Sequence, residues 1–144
     1  MRKYLLLLFF LVFLPTISYG ATLAAVGTPG GTEAVTCVTA VDNTTVYIGT
    51  AKGNVYSQHI TTGARTKINT AAINESISSI VTDATYLYVG TTKGKVWRVT
   101  ISGGGVAAVT CTLPGASVKG MKWDATSSLI WMVSNKGQLY TCTP

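Results

Sequence analysis

Histidine, acidic side chains and long apolar runs are scarce in this sequence. His59 is the only histidine in 144 residues, and Asp and Glu together number 5. A Ser–His–Asp constellation needs a base tied to a nucleophile and a carboxylate, and no spacing around His59 offers one. Glycoside hydrolysis needs two carboxyl groups about 5–10 Å apart, whereas Asp42, Asp83 and Asp124 are spread at intervals of 41 residues. No ligand series of the EF-hand kind surrounds any of the three. The 3 cysteines include no CxxC pair, and Cys/His spacing suited to zinc is missing. The sequence therefore predicts no catalysis, no metal and no cofactor; a hydrolase with dispersed carboxylates is the enzymatic alternative.

Charge is thin as well, at 11% of residues, and no run of like sign exists. That excludes a basic, aromatic nucleic-acid platform. The apolar run 4–14 is too short for a membrane span, which needs about 20 residues. Preceded by Arg2 and Lys3 and followed by Pro15, Ser18 and Gly20, it reads as a secretory signal peptide cut before Ala21. No Cys follows the run closely, so a lipid anchor is not expected. The expected division is a signal peptide at 1–20 and a single all-β domain at 21–144, secreted, periplasmic or extracellular. Export permits disulfides, but Cys37, Cys111 and Cys142 are an odd number, and the sequence does not choose the pair.

What is present is a repeat. Asp42, Asp83 and Asp124 recur every 41 residues, and the turns Lys52-Gly53, Lys93-Gly94 and Lys136-Gly137 recur after 41 and 43. Tyr56, Trp97 and Tyr140 each stand three residues after that Gly, and Tyr47, Tyr88 and Trp131 occupy the matching place one strand earlier. Each copy reads as strands rich in β-branched and aromatic residues. First strands are expected at 34–41, 77–82 and 118–123; second strands at 46–50, 86–91 and 129–134; third strands at 54–60, 95–101 and 138–142. Asp opens the first turn by accepting from backbone N–H groups two residues on. Lys-Gly closes the next, with Gly free to take positive φ. Fourth strands are expected at 64–69 and 106–113, while the third copy ends without one. Leu23-Ala24-Ala25-Val26 matches Val106-Ala107-Ala108-Val109, so the leading strand of the exported chain is expected to complete the last unit. The units are then 34–70, 77–113 and 118–144 plus 21–27.

The run [Val/Leu]-Tyr-[Ile/Val]-Gly-Thr-x-Lys-Gly-x-Val-[Tyr/Trp] at 46–56 and 87–97 resembles β-propeller blade repeats, closest to the quinoprotein-like bacterial type. The resemblance implies three four-stranded blades, with a terminal strand closing the array. It implies no quinone cofactor, because the residues that bind one are not recognisable. Propellers have about four to eight blades, so three imply a homodimer completing a six-bladed ring. A β-trefoil or β-prism of three repeats is the alternative and needs no partner.

Four residues stand out as candidate ligand contacts. Lys52, Lys93 and Lys136 recur at one turn and would line one face as point charges for anionic groups; Lys at a hairpin also simply keeps edges soluble. Trp123 is the aromatic that the repeat explains least, with Val41 and Thr82 in its place, and it is placed to stack on a sugar. The functional expectation is a lectin-like, non-enzymatic binding module for carbohydrate or a protein surface. The alternative is a structural or assembly protein of the periplasm or cell surface without a small-molecule ligand.

Overall fold

The computed structural model describes residues 33–71 and 73–144, and in these the regular structure is all antiparallel β, without a helix. A first sheet holds β1 (Val35–Ala40), β2 (Thr45–Thr50), β3 (Val55–His59) and β4 (Arg65–Lys67) in sequence order. A second holds β5 (Ile77–Thr82), β6 (Tyr86–Thr91), β7 (Lys95–Thr100) and β8 (Val106–Thr112). A third holds β9 (Val118–Asp124), β10 (Leu129–Ser134) and β11 (Leu139–Cys142). The expected signal peptide and the expected closing strand at 21–27 both lie outside the described residues.

Local chemistry sets the strand ends. Asp42 Oδ1 accepts from the N–H groups of Thr44 and Thr45 at 2.6 and 2.7 Å. Asp83 Oδ1 does the same for Thr85 and Tyr86 at 2.9 and 2.7 Å, and Asp124 for Thr126 at 3.0 Å. These bonds replace backbone pairing where the chain reverses. At the opposite end Gly53, Gly94 and Gly137 have φ of 81°, 80° and 75°, the left-handed region in which a Cβ is strained.

Strand register corrects one alignment made from the sequence. Ala40 pairs with Val46, Thr82 with Leu87 and Trp123 with Ile130. Ala40, not Val41, therefore holds the place of Thr82 and Trp123. Val41 is an extra residue in the first turn, so counting back from Asp42 misses the shift. The same registers make Val35, Ile77 and Val118 equivalent, and likewise Tyr47, Tyr88 and Trp131.

The second sheet is covered on both faces. Tyr47 and Val55 of the first sheet pack against Ile77, Ile80, Leu87, Val89 and Val99 of the second. Tyr88 and Val96, on the other face of the second sheet, pack against Val118, Ile130, Met132 and Cys142 of the third. Alternation along β6 places Leu87 and Val89 toward one neighbour and Tyr88 toward the other. The first strands lie side by side, β5 between β1 and β9. Two glycines permit this approach: a Cβ on Gly49 would stand 2.6 Å from Ile77 Cγ2, and one on Gly90 would stand 2.7 Å from Val118 Cγ1. At the far edge a Cys111–Cys142 disulfide, Cα–Cα 5.9 Å, ties β8 to β11 and leaves Cys37 as the free thiol.

Candidate functional site

Lys52, Lys93 and Lys136 sit exposed in the tight turns. Two of them stand near a carboxylate. The bond from Asn54 first, and Lys52 in small part, hold Glu33 below the usual carboxylate range; at Glu75 burial pushes the pKa up, and Lys93 is a small part of what brings it down. In the third unit Ala116 takes the place of Glu75, and Lys136 lies by Gly115 instead. A recess of about 230 Å³ lined by Lys93, Ala116, Ser117 and Asn135 lies at this turn. The three lysines are thus repeat features, each in its own turn.

Glu75 itself was missed by sequence reasoning. It is buried, its Oε2 accepts from the Thr91 hydroxyl at 2.7 Å, and its Oε1 pairs with Lys95 Nζ at 2.9 Å. Burial pushes its pKa up, but the Thr91 hydroxyl and Lys95 outweigh that and leave it lowered. Glu33, with Asn54 as its partner at 2.7 Å, repeats the device one unit earlier. The recurrence of Glu33/Glu75, Thr50/Thr91 and Asn54/Lys95 was the available signal. This is a brace between a connection and a strand, not an acid–base pair. His59 is likewise a turn residue: its Nδ1 accepts from the Thr62 N–H at 3.3 Å on an exposed surface.

Trp123 is half-buried between the second and third sheets. Its ring stacks on Tyr88 at 5.6 Å and 20°. Tyr88 in turn donates to Asp83 Oδ2 at 2.7 Å, and the Arg98 guanidinium lies 4.7 Å over the centre of the Tyr86 ring. Burial first, then the bond to Asp83, pushes the Tyr88 phenol well above its ordinary value. One face of Trp123 is therefore occupied by packing.

The more open aromatic is Trp131, which the repeat aligns with Tyr47 and Tyr88. Its equivalents Tyr47 and Tyr88 are 6% and 3% exposed, because a neighbouring sheet covers them; Trp131 is 38% exposed. It borders a recess of about 430 Å³ with Lys122, Trp123, Asp124 and Ala125. The Ser127 hydroxyl first, then the Thr126 N–H and the Trp131 side chain, hold the Asp124 carboxyl below its ordinary value. The recess thus offers an indole face, a carboxylate that stays ionised and an ammonium. No group of three or more metal-ligating side chains occurs among the described residues. Nor is any helix there long and apolar enough to cross a membrane.

No family model and no curated protein matches the chain. Solved structures do. The computationally designed protein Ika4 aligns with TM-score 0.58 and 17% identity, over 74% of this chain and 64% of its own. The designed protein Ika8 aligns with TM-score 0.60 and 16% identity, over 74% of this chain and 32% of its own. The extracellular domain of BT4673 from B. thetaiotaomicron aligns with TM-score 0.51 and 20% identity, over 84% of this chain and 22% of its own. The chain corresponds to less than two thirds of each of them. At such identity the likeness is one of fold, and the chain shares with these proteins an all-β array of antiparallel sheets.

Proposed function

We propose that the chain is a secreted, non-enzymatic binding module whose sheets are propeller-type blades and whose ligand is a carbohydrate. The exposed indole of Trp131 carries this reading. At the two equivalent positions the aromatic is buried, so at the third the same surface is left free to stack on a sugar ring. Asp124 and Lys122 beside it supply an acceptor and a donor for sugar hydroxyls. Among the described residues Asp42, Asp83 and Asp124 each serve their own turn and form no clustered acid–base pair. The Cys111–Cys142 disulfide suits an oxidising compartment. A glycan array tests the reading, with Trp131→Ala and Lys93→Ala as variants. Binding lost in the first and kept in the second supports stacking; the reverse result overturns it.

A second reading, assembly, is favoured by apolar surface at both ends of the array. Val35 and Val38 on the first sheet are 46% and 63% exposed, and Val133 and Leu139 on the third are 42% and 62% exposed. Separate cores between successive sheets fit blades better than the shared centre of a trefoil or prism. A second copy docking head to tail would cover both ends and make a six-bladed ring. It would set Ala40 where the second joint has Trp123, leaving the Trp131 recess open at the seam. It would also set Val35 against Val133, where the internal joints set Ile77 and Val118 against glycine. That seam is therefore looser than the internal joints.

A further inference from the structure

We propose that the gap between the first and second sheets is a binding site for a neutral sugar ring, distinct from the recess at Trp131. The proposal rests on the reading of the chain as a carbohydrate-binding module and adds a site to it.

The two internal joints are built from equivalent positions but filled differently. In the joint between the second and third sheets, Tyr86, Arg98 and Trp123 are large, and they close over Tyr88 through a ring stack at 5.6 Å and a guanidinium at 4.7 Å. Register gives their counterparts in the first joint as Thr45, Ser57 and Thr82. All three are small. Where Tyr86 and Arg98 stand in one joint, Thr45 and Ser57 line an open cleft of about 480 Å³ in the other, a volume within the range of about 300–1,000 Å³ common for small-molecule sites.

The lining has the chemistry of a polyol site. Tyr47, Ser57 and Thr66 sit opposite one another across β2, β3 and β4, so they share the face that looks into the gap, and Thr45 lies two residues from Tyr47 on that same face. Their hydroxyls are little used. Ser57 Oγ reaches the Thr66 carbonyl only at 3.5 Å, and Thr45 Oγ1 meets Thr44 Oγ1 at 3.4 Å. The Tyr88 hydroxyl is committed to Asp83, but the Tyr47 hydroxyl makes no such bond among the described residues. Burial raises the Tyr47 phenol above its ordinary value, so it stays protonated and able to donate. Hydroxyls both donate and accept, which matches the alternating demands of vicinal sugar hydroxyls.

The remaining walls suit a ring with an apolar face. Ile68 and Ile101 contribute aliphatic surface. The β7–β8 turn closes one side and is fixed in place: Gly104 O accepts from both the N–H and the hydroxyl of Thr70, at 3.1 and 3.0 Å. The charge of Asp42 reaches the Tyr47 phenol, but its Oδ1 is taken up by the Thr44 and Thr45 N–H groups and the Thr44 hydroxyl. Lys67 borders it, but by its pairing with Tyr56 its side chain belongs to the opposite face from Thr66. The ligand class is therefore uncharged.

The test fills the cleft with the residues nature uses in the other joint. Maltose, cellobiose and methyl α-mannoside are titrated calorimetrically into the full chain and into the double variant Thr45→Tyr, Ser57→Arg. The expected result is saturable binding of at least one sugar, weakened at least tenfold in the double variant with its melting temperature kept. Ser57→Ala with Thr66→Val, which removes hydroxyls without adding bulk, is expected to weaken the same sugar several-fold, and it serves should the filled variant not fold. Binding unchanged in both variants overturns the cleft while leaving the Trp131 reading intact. Absence of binding by the unaltered chain overturns both.

Discussion

Gly90 is a single residue on which a whole joint depends. Its missing Cβ is the space that Val118 occupies, with Met121 Sδ next nearest at 3.0 Å from where that atom would stand. Gly90→Ala is expected to cost about 1–3 kcal/mol by forcing sheets apart, measured as a lowered urea midpoint; an unchanged midpoint would contradict the close packing. Glu75 gives a pH-dependent counterpart. Its folded pKa lies below the ordinary 4.5, so the stability it contributes is present above that value. That stability is lost as the pH falls toward the folded value. Glu75→Gln is expected to lower stability at pH 7 and to flatten the loss as the pH falls from about 5 to about 3, read from melting curves across that range. Neither residue's partner is local: Val118 lies on another strand than Gly90, and Thr91 and Lys95 lie on strands well beyond Glu75 in the chain. Asp42 and Gly53, by contrast, were legible because turn chemistry is decided within three or four residues.

The strands as elements were largely legible, since alternating β-branched and aromatic residues between Asp and Lys-Gly turns mark them directly. Register was less so. Val41 inserts one residue into the first turn, and only cross-strand pairing reveals that Ala40 stands for Trp123. Which aromatic would be open was likewise hidden. Tyr47, Tyr88 and Trp131 look alike along the chain, and exposure follows from whether a further sheet lies on top. Cysteine pairing depended on β8 and β11 meeting at the outer edge, a distance the sequence does not encode. The bond spans 31 residues, for which loop closure gives about 3–4 kcal/mol. Reduction, or Cys111→Ser with Cys142→Ser, is expected to lower the melting temperature by several degrees. Cys37 is expected to react slowly with thiol reagents in the intact protein, because burial pushes its thiol up. Rapid labelling of Cys37 would contradict its packing beside Gly49.

At the scale of the whole array, the described residues carry exposed apolar surface at both ends. The middle sheet is covered on both faces, while the outer ones present Val35 and Val38 at one end and Val133 and Leu139 at the other. If a second copy completes the array, the Val35–Val133 seam limits how closely it approaches. Val133→Gly should then tighten self-association by restoring the space that Gly49 and Gly90 provide inside. Val38→Asp should weaken it by placing a charge in an apolar contact. The measurement that tests the half-ring most directly is sedimentation velocity of the chain lacking residues 1–20, across a hundredfold range of concentration. The account predicts a two-chain species that grows with concentration, is strengthened by Val133→Gly and is lost in Val38→Asp; a single-chain species at every concentration, with the β spectrum intact, would contradict it.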